Sequence, residues 1–494
     1  YAIELNNMHG KLKAQRVYAQ GQTLPISEIE YNYKKEGLKQ LSNNITAIYK
    51  NGDVGYDVLA GIDIDMVTDE RESKSHVSGY RLEANFDLSS IPTPVGSIPF
   101  PLASAIPGYS SETTRYRSIS NTKVITRYGI LEEVIAKDLG SYVKTKNLAW
   151  DAETGEVLLT QTQNSFNDSV YSFTYPAHWA YKGMAQSYKN IGLKLNGIEF
   201  SEINSPEQFF EPGDELYVTQ NNESKLGWVI SLVPGEGGSI SVVDRDGNAI
   251  PGNIPSEIKI TRSGHRNQQN TPIGAVTTLK NPLLDNGQKS KLNFQEILNA
   301  GSVEFSDAWG GVCKTCTQNF VSENPYINGE KGNYRPKRSY VYLTERNQSN
   351  DNRNTNIRKD GVFKFYSPFW TEPKETSDWM PDPSGWTFAS EVTLFSPYGF
   401  ELENKDALDR YTAADYGYNN SLPLCVSGNA KYIEIGFTGF EDTKSNECKD
   451  VHFSFLDNYI DNISETTSHT GNSSMRVDAG SSVELVKPLI PCEE

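Results

Sequence analysis

Long apolar runs are missing from this 494-residue chain. No stretch of about 18 apolar residues occurs, so no transmembrane helix is expected. Positive charge is also short: the formal net charge is −17. That balance argues against nucleic acid as a partner, because phosphate neutralisation needs a basic surface. Histidine is scarce, with six scattered residues and no Cys/His pair set out for nucleophilic catalysis. HExxH, GxSxG and GxxxxGK[ST] are absent, so the zincin, α/β-hydrolase and phosphate-loop chemistries have no motif here. Ala- and Leu-rich helical stretches are nearly absent. Five cysteines is an odd number. Cys313 and Cys316 form a single CKTC; zinc needs about four ligands, so a local disulfide or two quiet thiols is the better reading. Cys425, Cys448 and Cys492 lie towards the C-terminus, where one pair could be bridged in an oxidising compartment. The disulfide candidates are therefore Cys313, Cys316, Cys425 and Cys448. No charged-then-apolar leader opens the chain. A strand pattern begins at Tyr1; either a leader was removed or, the favoured expectation, the chain starts inside a longer polypeptide.

What is present points to β structure. Tyrosine is abundant (27 residues), and Asn, Ser, Thr and Gly are plentiful. Aromatic and hydroxyl side chains suit a pleated, half-wet surface. The expected fold class is all-β with few short helices: a multidomain β-sheet scaffold. The length allows two to four domains. Residues 1–190 read as a β-rich scaffold domain. Met8-His9-Gly10-Lys11 looks like a hairpin tip, with His9 a turn residue. Asp63 and Asp65 sit two apart in a strand and share a face, best read as exposed. The segment 88–107, LSSIPTPVGSIPFPLASAIP, is apolar and studded with proline. It is expected to be neither helix nor central strand, and to be buried as a cavity filler or plug. NLAWD, AETG and EVLLTQTQ form a clear hairpin.

Residues 191–263 show five or so short strands at regular spacing, expected as an inserted small barrel. Asp244 and Asp246 in DRDGN lack the remaining EF-hand ligands, so a plain turn is favoured. Residues 264–435 continue the aromatic scaffold with two short helices, over NFQEILNAGS (apolar at Phe294, Ile297 and Leu298) and over KDALDRYTAAD. Within this part, Asn324 to Trp370 carries the strand SYVYL, with Tyr340 and Tyr342 on one face, and closes on Phe363, Phe365, Tyr366, Phe369 and Trp370. Its Arg335, Arg338, Arg346, Arg353 and Arg358 are a local basic excess, expected to pair with carboxylates inside an assembly.

Trp150-Asp151 with ETGEVLLTQTQN, then TYPAHWAYKGM, GNYRPKRSYVYLTER with IRKDGVFKFYSPFW, and FSPYGFELENKDALDRYTAADYGYNNSLPLCVSGNAKYIEIGFTGFED together resemble a block of giant secreted Bacteroidota cell-surface proteins. These are multidomain, partly Rhs-like chains associated with type IX secretion and gliding motility. The resemblance implies a secreted, extracellular location. The partners it implies are other domains of the same long polypeptide, outer-membrane secretion or surface-assembly proteins, and glycans. GFED followed by SHTGNSSMRV resembles the opening strands of a carbohydrate-binding jelly roll, placing a jelly-roll-like segment at 436–494. There Glu441 and His469 match the family positions, and Glu441 would help to hold a structural calcium ion. Asp168-Ser169-Val170 fits the short pattern on which Bacteroidota place O-glycans, which makes Ser169 an O-glycosylation candidate.

The expected function is a non-enzymatic structural or adhesive part of a cell-surface protein, with no catalytic residues and no cofactor beyond that calcium. One alternative is a carbohydrate-binding or glycan-active protein. Trp370, Trp379 and Trp386 could stack on sugars, but large aromatics in a β-protein more often fill the core. A glycosidase would need two placed carboxylates, and none of the 63 acids is singled out. A second alternative is a Rhs-like shell around a toxin or cargo, although periodic Tyr-Asp arrays are not found.

Overall fold

A computed structural model describes the chain except for residues 39, 94–95, 164–167, 185–189, 266–270, 284–290, 310–323, 328, 349–360, 373–377, 397, 419–420, 442–453, 456–461, 483–484 and 487–494. Over 86–103, 454–455 and 485–486 it describes the backbone alone. The fold is all-β and multidomain. Among the described residues the one α-helix is Ala177–Ala180. The chain divides into two compact units: residues 1–14, 31–44 and 59–132, and residues 15–30, 45–58 and 133–494.

The first unit holds β1 (Ala2–Asn7), β2 (Ile62–Thr93) and β3 (Gly96–Tyr128), paired in the order β1-β3-β2. β2 and β3 run antiparallel through an unbroken register from Ile62↔Arg127 to Thr93↔Gly96. β1 lies parallel to β3 and reaches only Lys123–Tyr128. At the root of the hairpin, buried Asn43 donates its side-chain amide to the carbonyls of Ala60, Gly61 and Tyr128, at 2.8, 2.9 and 3.1 Å. One side chain thereby ties the start of β2 to the end of β3. The turn at Met8 to Lys11 closes with Lys11 N–H donating to the Met8 carbonyl at 3.1 Å, and His9 is exposed as expected of a turn residue.

The second unit is built on one large, mainly antiparallel sheet. Its central run consists of β4 (Leu131–Asp138), β5 (Ser141–Asp151), β6 (Val157–Gln163), β7 (Ser169–Pro176), β13 (Pro272–Thr278), β14 (Ile297–Ser306), β15 (Arg335–Val341) and β16 (Thr387–Phe395). β17 (Glu401–Asp406), β18 (Tyr411–Gly417) and β19 (Leu422–Gly428) complete it. Between β7 and β13 lies a separate five-stranded sheet of β8 (Lys194–Ile198), β9 (Glu215–Gln220), β10 (Glu223–Val233), β11 (Ser239–Val243) and β12 (Ser256–Arg262), in the order β8-β12-β9-β10-β11. Leu216 and Val218 alternate with half-buried or exposed neighbours along β9, and Ile258 and Ile260 alternate with exposed ones along β12. They bury one face against Phe200, Phe210 and Val229. The turn at Asp244 is a plain one: its carboxylate accepts from the N–H groups of Asp246 and Asn248, at 3.0 and 2.9 Å.

The main core is aromatic. Alternation along β7 turns Phe173 and Tyr175 inward, where Trp179, Trp370 and Trp379 meet them. The indoles of Trp179 and Trp379 stack at 5.3 Å. Gly274 gives Trp370 its place: a Cβ there would stand 3.3 Å from the indole, whose N–H donates to the Ile273 carbonyl at 3.0 Å. Buried Asp151 accepts from the Trp179 indole at 2.9 Å and from the Thr154 N–H at 2.7 Å, while His178 Nε2 stands 3.4 Å away. Burial pushes this carboxyl up, but His178 and the Thr154 donors outweigh it and hold the group below its ordinary value. A lowered folded value stabilises the fold above the unfolded pKa and loses that contribution as the pH falls through the folded one. Urea unfolding midpoints are therefore expected to drop on acidification below about pH 4, and the Asp151→Asn variant to show a flatter acid limb. Equal acid sensitivity of the two proteins would remove Asp151 as a cause.

Three expectations are corrected here. NFQEILNAGS is no helix: Ile297, Ala300 and Ser302 are buried along β14, after Glu296 takes a positive φ of 56°. KDALDRYTAAD is the end of β17, a tight turn over 407–410 and the start of β18, and the Asp406 carboxylate accepts from the N–H groups of Leu408 and Arg410, at 2.8 and 3.1 Å. The arginines of the aromatic stretch meet the expected pairing with carboxylates only in part. Arg338 pairs with Glu391 across β15 and β16 at 2.9 Å. Buried Arg335 instead donates to the Ser396 carbonyl at 3.2 Å and lies over the Phe395 ring. Arg346 donates to the Leu298 carbonyl at 2.9 Å. Arg353 and Arg358 lie outside the described residues. SYVYL behaves as expected, with Tyr340 and Tyr342 buried and Val341 and Leu343 exposed.

Candidate functional site: a long two-faced hairpin

The segment expected to be a buried plug is instead strand. Residues 88–93 end β2 and 96–107 open β3, and the side chains of 104–107 are exposed. The expectation failed on proline, and the hydrogen-bond parity shows why. Tyr128 N–H donates to the Gly61 carbonyl at 2.9 Å, whereas Lys123 N–H donates to the Tyr1 carbonyl at 2.9 Å. In an antiparallel pair such positions alternate. Even-numbered residues of β3 therefore face β2, and odd-numbered ones face away. In β2 the even-numbered residues face away. Pro92, Pro99, Pro101 and Pro107 all occupy outward positions, where the missing N–H costs the hairpin no internal bond.

At about 3.3 Å per residue each strand extends roughly 105 Å. Such a ribbon has two open edges. Beyond β1, no strand among the described residues pairs with the outer edge of β3, and none pairs with the outer edge of β2. Over residues 63–78, 80–85 and 104–117 both faces of the ribbon are exposed. A lone two-stranded ribbon is marginal in water, and unpaired strand edges are templates for further pairing.

The two faces of the ribbon differ. From Tyr80 every second residue of β2 is apolar in the sequence: Tyr80, Leu82, Ala84, Phe86, Leu88. The residues between them are Arg81, Glu83, Asn85 and Asp87. The register sets Tyr80 opposite Tyr109, Leu82 opposite Pro107 and Ala84 opposite Ala105, so the apolar face continues across both strands. Leu82 is 70% and Tyr80 90% exposed. The Tyr80 and Tyr109 rings meet at 5.1 Å, a pair of the kind that marks an interface belt. Above the pair the same face turns charged. Arg115 bonds Glu72 at 2.5 Å and Arg117 bonds Glu70 at 2.6 Å. His76 Nδ1 lies 2.8 Å from Thr113 Oγ1. These exposed pairs add little stability but keep that part of the face wet. About nine residues per strand lie between Tyr80 and Leu88 and between Pro101 and Tyr109, close to what a tilted strand needs to cross the hydrocarbon layer. No helix among the described residues is long and apolar enough to cross a membrane. The dyad alternation from Tyr80 is the sequence signal that would have found this hairpin; the density of prolines obscured it.

The residues singled out from sequence fall elsewhere. Trp370 and Trp379 are buried in the aromatic core and offer no stacking platform. Trp386 is partly buried against Tyr342 and Phe369, its indole donating to the Ser367 carbonyl at 3.0 Å. Ser169 begins β7, where its hydroxyl accepts from the Gln161 amide at 2.9 Å. Cys425 is a half-buried free thiol in β19. Cys313, Cys316, Cys448 and Cys492 lie outside the described residues. Glu441 and His469 do come together, lining a cavity of about 330 Å³ with Phe437 and Ser473. Glu441 accepts from the Asn472 and Ser473 N–H groups at 2.7 and 2.8 Å, so its carboxylate holds the HTGNSS turn. Among the described residues no group of three or more His, Cys, Asp or Glu side chains could hold a metal ion. Asp63 and Asp65 share one exposed face of β2.

No family model matches the chain, and no curated protein matches it. Among solved structures it is similar to one described as "Crystal structure of lysenin pore", at 9% identity over 47% of this chain and 85% of that one, with a TM-score of 0.09. A likeness at that score carries no argument about this chain.

Proposed function

We propose that this chain is a membrane-inserting β-protein, one protomer of a ring in which each copy contributes β2 and β3 to a shared transmembrane barrel. The observation that carries this reading is the hairpin itself. It has two open edges, one apolar face closed off by a tyrosine pair, and behind it a face that is polar along β2 (Arg81, Glu83, Asn85, Asp87) and mixed along β3, where Leu102 and Ile106 alternate with Ser104 and Gly108. Lipid demands that every backbone polar group be paired, and closure of strand edges between copies supplies those pairs. An apolar face turned to lipid and a polar face turned to water is the dyad pattern of such barrels. The function is non-enzymatic, and the rest of the chain is the scaffold that presents the hairpin.

The test is release of an encapsulated dye from liposomes by the full chain, with sedimentation of the detergent-extracted protein. Release together with a ring-sized oligomer is the expected result. A monomer that leaves liposomes sealed across lipid compositions and pH would refute the proposal.

A second reading, a secreted surface scaffold or adhesin of the Bacteroidota type, draws on the same open edges. There the edges would pair with neighbouring copies or domains in a surface assembly, with no membrane involved. Oligomers that form while liposomes stay sealed would favour it.

A further inference from the structure

We infer that the barrel conducts cations in preference to anions, a conclusion that rests on the barrel reading above. The lipid-facing side is the one bearing Tyr80, Leu82, Pro107 and Tyr109. Because side chains alternate across a pleated strand, the opposite side faces the lumen. Small hydroxyl residues and glycine line much of it, with Ser73, Ser75 and Gly79 on β2, and Ser110, Ser118 and Ser120 on β3. Val77, Ile106 and Tyr116 interrupt this face, and between them the lining is wet and leaves room for ions. The cations on this side are matched by neighbours two residues away: Arg71 bonds Asp69 at 3.1 Å, and Arg81 bonds Glu83 at 3.3 Å. Asp63, Asp65, Asp87 and Glu112 remain as the excess charge of the face.

The other side carries the opposite excess. There Lys74, Arg115, Arg117 and Lys123 outnumber Glu70 and Glu72. Cation and anion excess are therefore sorted between the two faces of one ribbon rather than mixed. Closing a ring of copies repeats Asp63, Asp65 and Glu112 once per protomer, forming stacked rings of carboxylates along the wall. Carboxylate rings in a narrow aqueous channel raise the local cation concentration and exclude anions.

The experiment records the full chain in a planar bilayer under a KCl gradient. The expected reversal potential lies towards that of potassium, with a severalfold permeability preference over chloride. In the Asp63→Asn/Asp65→Asn/Glu112→Gln variant, which leaves Asp87 on this face, the preference falls by more than half. Glu70→Gln/Glu72→Gln, on the lipid-facing side, leaves it unchanged. All five positions are exposed, and unchanged melting of each variant checks that folding is intact. A wild-type channel that is unselective or prefers chloride overturns the inference while sparing the barrel, as does an unchanged reversal potential in the triple variant. Absence of any channel overturns the barrel reading and this inference with it.

Discussion

Leu82→Arg is expected to abolish membrane permeabilisation while leaving the folded protein intact. Leu82 is 70% exposed on the outer part of the hairpin, so its replacement removes little packing from the fold. In the proposed barrel the same position lies two residues inside the Tyr80 belt, on the side assigned to lipid. A cationic side chain on the lipid face of a barrel costs about 2–4 kcal/mol at the bilayer midplane and less towards the interface. The cost recurs in every protomer of a closed ring, so it multiplies across the assembly. Dye release should fall by at least an order of magnitude, and the thermal midpoint should stay within about 1 °C of wild type, the sensitivity expected of an exposed site. Arg81→Leu makes the complementary case. It adds an apolar residue to the polar face, so release should persist. Equal release by wild type and Leu82→Arg would mean that this face does not meet lipid.

The second large effect falls on stability. Trp179→Ala is expected to lower the unfolding free energy by about 3–5 kcal/mol, the range for removing a large aromatic from a well-packed core. Trp179 is fully buried, stacks on Trp379, meets the edge of Tyr175, and donates its indole N–H to Asp151. Its loss opens a cavity and also takes a donor from a buried carboxylate, and the two costs add. Urea denaturation with a two-state fit reads the change directly. Trp386→Ala is the internal comparison. Trp386 is only partly buried at the rim of the same cluster, so its removal should cost clearly less. A loss below about 1.5 kcal/mol for Trp179→Ala would show that the cluster relaxes to fill the gap.

Much of the sheet was legible because it follows local rules. The period-2 alternation of SYVYL put Tyr340 and Tyr342 inward, and the turn residues around Thr154 marked the β5–β6 hairpin. The misreadings share one cause. In NFQEILNAGS a loop residue, Phe294, and the first residues of β14 together imitate a helical spacing of three and four. Only the neighbouring strands β13 and β15 decide that Ile297 and Ala300 belong to a ladder. KDALDRYTAAD carries helix-forming residues, but Asp406 caps a turn and the flanking segments find sheet partners. Pairing energy comes from residues distant in sequence, so propensity alone could not rank the alternatives.

The sequence by itself determined the β character, the acidic balance, the aromatic core and the absence of a helical membrane span. It also held the alternation from Tyr80 to Leu88. What that alternation does was decided by tertiary structure. Register is a relation between two strands, and only pairing β2 with β3 over their whole length joins Leu82, Ala84, Ala105 and Pro107 into one surface and sends each proline to an outward position. A residue's chemistry is local; the face it occupies depends on the partner strand.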